Sequence, residues 1–280
     1  MPKELSRVQQ IERSIIKTYR KQLWSPFVLA VKKYSLIQPN DKIAVCISGG
    51  KDSVLLAKLL QELKRHSEIP FELRFIAMDP GYNAENRRKI EENAQILGIP
   101  LEIFESDIFA AADMLNEQSP CYLCARMRRG HLYAKAKELG CNKIALGHHM
   151  SDVIETTLMG MIYGGQIQGM LPRIKSTNFD GMELIRPLYC ILEEDIIRWK
   201  EYNSLEFIAC ACRFTARTEE DGFFSARKRV KELIASLKRE EESKNVESNL
   251  FQSIHNVQLD TLAGYKKDGE KYSFLDKFDN

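Results

Sequence analysis

The sequence predicts an α/β fold, in which a doubly wound parallel sheet carries helical extensions at both ends. Three observations support this fold class. From residue 41 onward, short apolar segments typical of strands alternate with longer segments of helical periodicity. A glycine turn joins the first of these strands directly to a helix. The 280-residue chain is also 44% hydrophobic, which is enough to bury a sizeable core. Such alternation indicates parallel strands with helices on both faces.

The predicted elements follow one another at short intervals. The strands are expected at residues 42–47, 71–78, 101–104, 143–146, 183–186 and 205–208. The helices are expected at residues 52–64, 84–97, 125–139, 151–163, 193–202 and 225–238. Glycines stop several of these helices, as at Gly140 and at Gly164-Gly165. In such a sheet, ligands bind beyond the carboxyl ends of the strands.

Three regions are expected along the chain. Residues 1–40 form a basic helical arm, residues 41–212 an α/β domain with the ligand sites, and residues 213–280 a helical C-terminal extension. The arm has a net charge of +6, although the whole chain has only +2. The low overall charge argues against a protein that coats polyanions. The arm is either a solvated helical surface or a surface that meets nucleic acid, and its residues leave both interpretations open.

The termini and the cysteine content bear on the compartment. The N-terminus has no signal-peptide pattern, and the longest apolar runs, residues 27–31 and 43–47, are too short to cross a membrane. We therefore expect a soluble cytoplasmic protein. The seven cysteines cannot all form internal disulfides, because their number is odd. Clustered cysteines in a reducing compartment are more often metal ligands or reactive thiols.

The glycine turn has the composition of an anion-binding loop. A strand leads to Ser48, two glycines permit a tight turn, and a helix begins at once, so that free N–H groups point at one spot. A Walker A loop is excluded, because Val45 and Asp52 stand where it needs Gly and Ser or Thr. The pattern Ser-Gly-Gly-x-Asp-Ser instead resembles the pyrophosphate loop of the PP-loop ATP pyrophosphatases. That resemblance implies ATP and pyrophosphate binding by Ser48, Gly49, Gly50, Lys51, Asp52 and Ser53.

Two further segments lie just past predicted strand ends. Gly147-His148-His149 with Asp152 is similar to the Gly-His-His-x-x-Asp motif of PP-loop enzymes that modify tRNA, and suits the binding of phosphate and Mg²⁺. Asp152 is the candidate Mg²⁺ ligand, although Ser151 stands where many relatives have a second Asp. Asp79 either lies near the nucleotide or forms a turn before Pro-Gly, and both interpretations stay open.

Four cysteines occur in two close pairs. Cys121 and Cys124 are expected in a loop before a helix, and Cys210 and Cys212 follow a predicted strand. Three kinds of site are compatible with the residues: a structural zinc site, a redox pair, or an iron–sulfur cluster. The other three cysteines, Cys46, Cys141 and Cys190, are expected to be ordinary core residues.

A series of motifs decides between these sites by resemblance. Cys121-x-x-Cys124-Ala-Arg, Leu-Gly-His-His, Tyr163-Gly-Gly, Ile-Arg186-Pro-Leu and Phe-Ile-x-Cys210 occur in one order. With the glycine loop, the series closely resembles the tRNA 2-thiocytidine synthetase family (TtcA type) over about residues 20–240. The resemblance implies a [4Fe-4S] cluster on Cys121, Cys124 and Cys210. Cys212 is an alternative third ligand, or a fourth, because the family's second cysteine falls one position later.

The same resemblance implies an activity. The protein would convert an anticodon-loop cytidine of tRNA to 2-thiocytidine through an adenylated intermediate, with ATP giving AMP and pyrophosphate. Lys51, Asp52 and Cys210 would be catalytic. Arg126, Arg128 and Arg129 begin a helix, where cations are slightly unfavourable, so they either bind an anion such as a tRNA phosphate or are ordinary surface arginines. Expected partners are tRNA, a sulfur donor (a cysteine desulfurase or sulfide) and a second copy of the chain. The alternatives are a uridine thiolase, a lysidine-type ligase and a non-catalytic adenine-nucleotide-binding protein.

Overall fold

The computed structural model describes residues 4–106, 120–208, 226–240 and 245–278. By its internal contacts the chain divides into two units, Met1–Lys228 and Arg229–Asn280. The first unit contains the sheet that the alternating pattern predicts.

The sheet of the first unit has six strands. They are Lys42–Cys46 (β1), Glu72–Asp79 (β2), Leu101–Glu105 (β3), Lys143–Ala145 (β4), Arg173–Lys175 (β5) and Glu183–Ile185 (β6). Their order is β3-β2-β1-β4-β6-β5, with β1 at the centre, and all pairs are parallel except β5 with β6. The chain thus runs outward from β1 in both directions, which confirms the doubly wound α/β fold.

Helices connect these strands. Those of the first unit are Arg7–Arg13 (α1), Ser25–Lys33 (α2), Lys51–His66 (α3), Ala84–Ile96 (α4), Pro120–Glu138 (α5), Met150–Gly164 (α6) and Glu193–Tyr202 (α7). Two π-helical turns, Ser14–Thr18 and Arg20–Trp24, lie between α1 and α2. None of the helices in the described ranges is long and apolar enough to span a membrane.

The central strand and its neighbours form the core. Ile43, Ala44 and Val45 of β1 are fully buried, as expected for a strand covered on both faces. Cys46 and Cys141 belong to the same buried apolar cluster, which confirms that they are core residues. Cys190 is only half-buried.

The basic N-terminal region packs on the first unit through its apolar side. Ile11, Ile15 and Phe27 are fully buried. The side chains of Ser14 and Trp199 join the region to α7, because the indole Nε1–H donates to Ser14 Oγ at 3.0 Å. The apolar positions of the arm therefore contribute to the core of the first unit, while its basic positions remain on the outside.

The structure differs from the prediction in three elements. Helix α5 begins at Pro120, so Cys121 and Cys124 lie within its first two turns and not in a loop before it. Residues 205–208 form no strand, and the side-chain amide of Asn93 donates to the Glu206 carbonyl at 2.9 Å. Strand β5 has three residues and was not predicted.

The second unit contains helices and a short hairpin. Helix Ala226–Arg239 (α8) begins in the first unit and ends in the second, and Val246–His255 (α9) follows. Strands Gly264–Lys267 (β7) and Glu270–Ser273 (β8) pair antiparallel. The two residues between them, Asp268 and Gly269, both have positive φ, as a tight hairpin turn requires.

Candidate active site

The glycine loop leads from β1 into α3 and is closed by its own hydrogen bonds. The Ser53 hydroxyl donates to the Gly50 carbonyl at 3.0 Å and accepts from the Ser48 amide at 3.1 Å. Gly49 has φ +82°, and a Cβ there would lie 2.6 Å from Ile208 Cδ1, so both the backbone and the space require glycine. The conformation of the loop is therefore defined by its own residues and by the side chains packed behind it.

The first turn of α3 presents its amides without a side-chain cap. Gly50 is the N-cap residue and has no side chain, so the free N–H groups at the helix start keep their capacity to bind an anion. The helix dipole adds partial positive charge at the same place. The residues Ser48–Ser53 thus have the geometry that phosphate binding needs.

Two carboxylates hold the lysine of this loop. Lys51 Nζ lies 3.2 Å from Asp52 Oδ2 and 2.9 Å from Glu193 Oε1, the first residue of α7. Burial acts to lower the pKa of Lys51, but the two carboxylates outweigh it and raise that pKa. Burial also raises the pKa of Asp52, and the Lys51 ammonium offsets this only in part. The ammonium is therefore fully charged at neutral pH and already engaged by the protein.

Glu193 was not among the predicted site residues. Its sequence signal is weak. Three acidic residues, Glu193, Glu194 and Asp195, begin a helix, and the helix dipole favours acidic residues at this position whether or not they belong to a site. The Glu193 amide also donates to Ser151 Oγ at 3.2 Å, which ties the start of α7 to the start of α6. Glu193 therefore reaches the loop through the placement of two helix ends.

The Gly-His-His segment lies against the glycine loop. A Cβ on Gly147 would lie 3.1 Å from the Ser53 amide nitrogen, so the chain approaches α3 closely at this glycine. His149 Nε2 is 3.9 Å from Asp52 Oδ1. Burial and the Arg186 guanidinium lower the pKa of the neighbouring His148 to about 4, so that ring is neutral at pH 7. The two predicted motifs are thus brought together at one edge of the sheet.

Asp152 and His149 form a capping box at the start of α6. The His149 amide donates to Asp152 Oδ2 at 3.1 Å, and the Asp152 amide donates to His149 Nδ1 at 3.3 Å. Arg227 donates to the other carboxylate oxygen of Asp152 at 2.9 Å. Within the described residues no group of three His, Cys, Asp or Glu side chains is placed to hold a metal. Asp152 fits a Mg²⁺ ligand only when Arg227 releases its oxygen.

Asp79 forms the turn that follows β2. One oxygen accepts from the amides of Gly81 at 2.9 Å and Tyr82 at 2.7 Å, and the other accepts from Arg87 at 2.7 Å. Burial acts to raise the pKa of Asp79, but these hydrogen bonds outweigh it and lower that pKa. Asp79 thus forms the turn, and its place near the nucleotide stays a prediction.

The cysteine pairs are only partly within the described residues. Cys121 and Cys124 are three positions apart near the start of α5, a spacing that is compatible with two ligands to one cluster. Cys210 and Cys212 lie outside the described residues, and so does the choice between them. Arg126, Arg128 and Arg129 occupy the second and third turns of α5, Arg129 being exposed and Arg128 half-buried.

Comparisons with known proteins agree with these motifs. Residues 11–212 match the PP-loop domain family. A tRNA-cytidine(32) 2-sulfurtransferase of Neisseria meningitidis is 39% identical over 186 residues, which are 65% of this chain and 57% of that protein. One of Geotalea uraniireducens is 35% identical and covers 82% of this chain and 88% of its own. The chain thus spans little more than half the length of the Neisseria relatives and most of the Geotalea relative.

A solved structure shows the same fold. The U34-tRNA thiolase NcsA from Methanococcus maripaludis, described with its [4Fe-4S] cluster, superposes with a TM-score of 0.65. The match covers 85% of this chain and 80% of that one, at 22% sequence identity. At that identity the comparison supports the architecture described above.

Proposed function

The chain belongs to the PP-loop family, together with relatives named tRNA-cytidine(32) 2-sulfurtransferase, and from that premise we propose that it thiolates a cytidine of tRNA at the expense of ATP. The observation that carries the proposal is the approach of two motifs, Ser48–Ser53 and Gly147–His149, at the carboxyl edge of the sheet. A phosphate-binding loop beside a second polar motif is what a nucleotide-dependent transferase needs.

The proposed reaction begins at the glycine loop. Ser48–Ser53 binds the phosphates of ATP that leave as pyrophosphate, and Lys51 offsets the charge that develops on the α-phosphate. Atom O2 of an anticodon-loop cytidine attacks this phosphorus, and the bond to pyrophosphate breaks. Sulfide then attacks C2 of the adenylated base, the C2–O2 bond breaks, and AMP leaves. Mg²⁺ bound to the phosphates, with Asp152 as its protein ligand, would stabilise the same charges.

The proposed cofactor is a [4Fe-4S] cluster on Cys121, Cys124 and Cys210, with Cys212 as the alternative ligand. When bound, a cluster with one iron free of protein ligands provides a place for the sulfide that the reaction consumes. The spacing of Cys121 and Cys124 on α5 supports the assignment. In this proposal Cys210 would act in catalysis as the third protein ligand of the cluster, which leaves the fourth iron free for sulfide.

The proposed tRNA-binding surface is on α5. Arg126, Arg128 and Arg129 contact phosphates of the tRNA, because guanidinium groups bind phosphates in a bidentate manner. Exposed bases of an RNA loop are the usual targets of such readers. The sulfur comes from a cysteine desulfurase or from free sulfide, and the enzyme acts in the cytoplasm, where tRNA is modified. A homodimer is part of the proposal and is tested by light scattering.

The cofactor is tested by anaerobic purification followed by iron, sulfide and zinc analysis. We expect about four iron atoms per chain and a brown colour. Cys121→Ala is expected to be colourless and Cys212→Ala coloured, whereas Cys190→Ser, which alters a half-buried cysteine outside the pairs, keeps its iron as the matched control. Stoichiometric zinc without iron would contradict the cluster. A colourless Cys212→Ala together with a coloured Cys210→Ala would show that Cys212, and not Cys210, is the third ligand.

The reaction is tested by digesting tRNA after incubation with ATP and a sulfur source and by identifying the thiolated nucleoside by mass spectrometry. The proposal predicts 2-thiocytidine and tRNA-dependent release of AMP. A thiolated uridine would instead make the protein a uridine thiolase. Nucleotide binding without AMP release would indicate a non-catalytic adenine-nucleotide-binding protein.

A further inference from the structure

Arg186 is a buried cation at the carboxyl edge of the sheet. It directly follows β6, whose last residue Ile185 pairs with Ala145 of β4, and it is only 5% exposed. One terminal nitrogen donates to the carbonyl of Leu171. The Nε–H is buried as well and finds no acceptor within the described part of the chain. A buried guanidinium with an unused donor is costly, unless a ligand supplies the missing acceptor.

The charges around Arg186 make this arrangement more unfavourable without a ligand. Across residues 4–106, 120–208 and 226–240, no carboxylate lies within ion-pair distance of Arg186 or Arg129. Burial and then the charge of Arg129 lower the pKa of Arg186 to about 10, so the two guanidinium groups repel each other. Asp152 opposes this effect only weakly, and its own oxygen is held by Arg227 at 2.9 Å.

His148 adds a third unused polar group at this place. Its Nδ1 is buried and finds no hydrogen-bond partner in the described ranges. The Leu146 amide donates to the Ile185 carbonyl at 3.0 Å, so the residues that follow β4 and β6, His148 and Arg186, lie at the same edge of the sheet. A neutral imidazole carries one N–H, which can donate to an anion. Arg186, Arg129 and His148 thus lie at a place where no carboxylate of the described residues forms an ion pair with Arg186.

We propose that Arg186, Arg129 and His148 form a second anion site, separate from Ser48–Ser53, which binds a single phosphate group of a substrate. The inference rests on the proposed function, since that function supplies two substrates with such a group. The phosphate is either the α-phosphate of the nucleotide or a backbone phosphate of the RNA. The chemistry is the same in both cases: an oxyanion accepts from Arg186 Nε and from His148, and its charge relieves the repulsion between the two arginines.

Selective ¹⁵N labelling of arginine observes this site directly in the wild-type chain. The Nε–Hε signal of Arg186 is assigned by its loss in Arg186→Lys. We expect it to shift on titration with AMP or with an anticodon stem-loop RNA. The Nε–Hε signal of Arg173, which already donates to Glu183 at 2.9 Å, is the internal control and should stay in place. A response to AMP assigns the α-phosphate, and a response to RNA assigns a backbone phosphate. An Arg186 signal that moves with neither probe overturns the proposal.

Affinities provide the second test. Arg186→Lys is expected to bind the responsive probe about tenfold to a hundredfold more weakly, as loss of a charge-assisted hydrogen bond predicts. Arg173→Lys should bind it as the wild type does. Equal affinities in Arg186→Lys and the wild type would count against the site. If the Arg186 signal of the wild-type chain responds to a probe but the chain makes no thiolated base, only the proposed function is refuted. Thiolation with an unresponsive Arg186 refutes only this site.

Discussion

The ammonium of Lys51 lies 2.9 Å from a carboxylate oxygen of Glu193, although the two residues are 142 positions apart in the chain. Lys51 belongs to the glycine loop, and Glu193 is the first residue of α7. A phosphate that binds in the loop has to share or displace this carboxylate. The ion pair therefore couples the occupancy of the loop to the position of α7.

Substitution Glu193→Gln is expected to strengthen nucleotide binding. The variant removes the negative charge that competes with phosphate for Lys51 but keeps a side chain of the same size. Both side chains are still partly exposed to solvent, at 22% and 24%. Because solvent screens their charges, the expected gain in affinity is modest. We expect about threefold to tenfold tighter binding of an ATP analogue that cannot be cleaved between the α- and β-phosphates, measured by calorimetry.

The neighbouring Glu194→Gln is the matched control for that measurement. Glu194 carries the same charge on the same helix end and pairs with Arg198. Its variant should bind the analogue as the wild type does. Weaker binding by Glu193→Gln would mean that the carboxylate supports the occupied loop, which would contradict the competition argued here.

Substitution Gly49→Ala is expected to destabilise the first unit by about 3 kcal/mol. The φ of +82° costs an L-residue about 1 kcal/mol, and a Cβ that lies 2.6 Å from Ile208 and 2.8 Å from Ile90 adds overpacking. Urea denaturation measures the sum. The loop also has to move, so pyrophosphate binding should be lost in the same variant.

Gly140→Ala separates the two causes. Gly140 has φ +72°, but a Cβ there meets nothing within 4 Å, so this variant should lose only the backbone cost of about 1 kcal/mol. Equal losses in the two variants would show that the contacts with Ile208 and Ile90 are relieved easily.

The parts of this molecule that were predictable are those set by neighbouring residues. The strand, glycine turn and helix around Ser48–Ser53 follow one another directly, so the anion loop could be inferred from local pattern alone. The alternation of elements likewise determined the sheet, because parallel strands need crossover helices. The start of α5 also has a local signal, since proline is favoured as the first helical residue, and Pro120 stands five positions before the predicted start.

The parts that were not predictable depend on contacts between distant residues. Glu193 reaches Lys51 only because α7 docks beside α3, and Arg227 reaches Asp152 across 75 positions. Residues 205–208 have the apolar pattern of a strand, yet Asn93 of α4 takes a carbonyl there. Local sequence patterns do not predict these contacts, because the hydrogen-bond partners of each polar group come from distant parts of the chain.

Substitution Glu12→Gln is expected to cost about 3 kcal/mol of stability. Lys58 is fully buried, and its ammonium donates to Glu12 at 2.7 Å, so the neutral variant leaves a buried charge without its ion partner. Lys58→Met should cost less than half as much, because Glu12 keeps its bonds to the half-exposed Arg65. Urea denaturation of both variants, with Glu4→Gln as an exposed control, measures the difference. A larger loss in Lys58→Met would contradict this account.

His148 is expected to make the first unit lose stability in mild acid. Burial, then Arg186, holds its pKa at about 4 in the folded chain, against 6.5 when unfolded, so the unfolded chain binds more protons between these values. Stability is therefore complete above about pH 6.5 and falls as the pH drops toward 4. For this half-buried ring the loss is about 2 kcal/mol. His148→Gln should flatten the curve of unfolding free energy against pH in this window, whereas His131→Gln, an exposed histidine, should leave it unchanged. Parallel curves for His148→Gln and the wild type would show that other groups cause the loss.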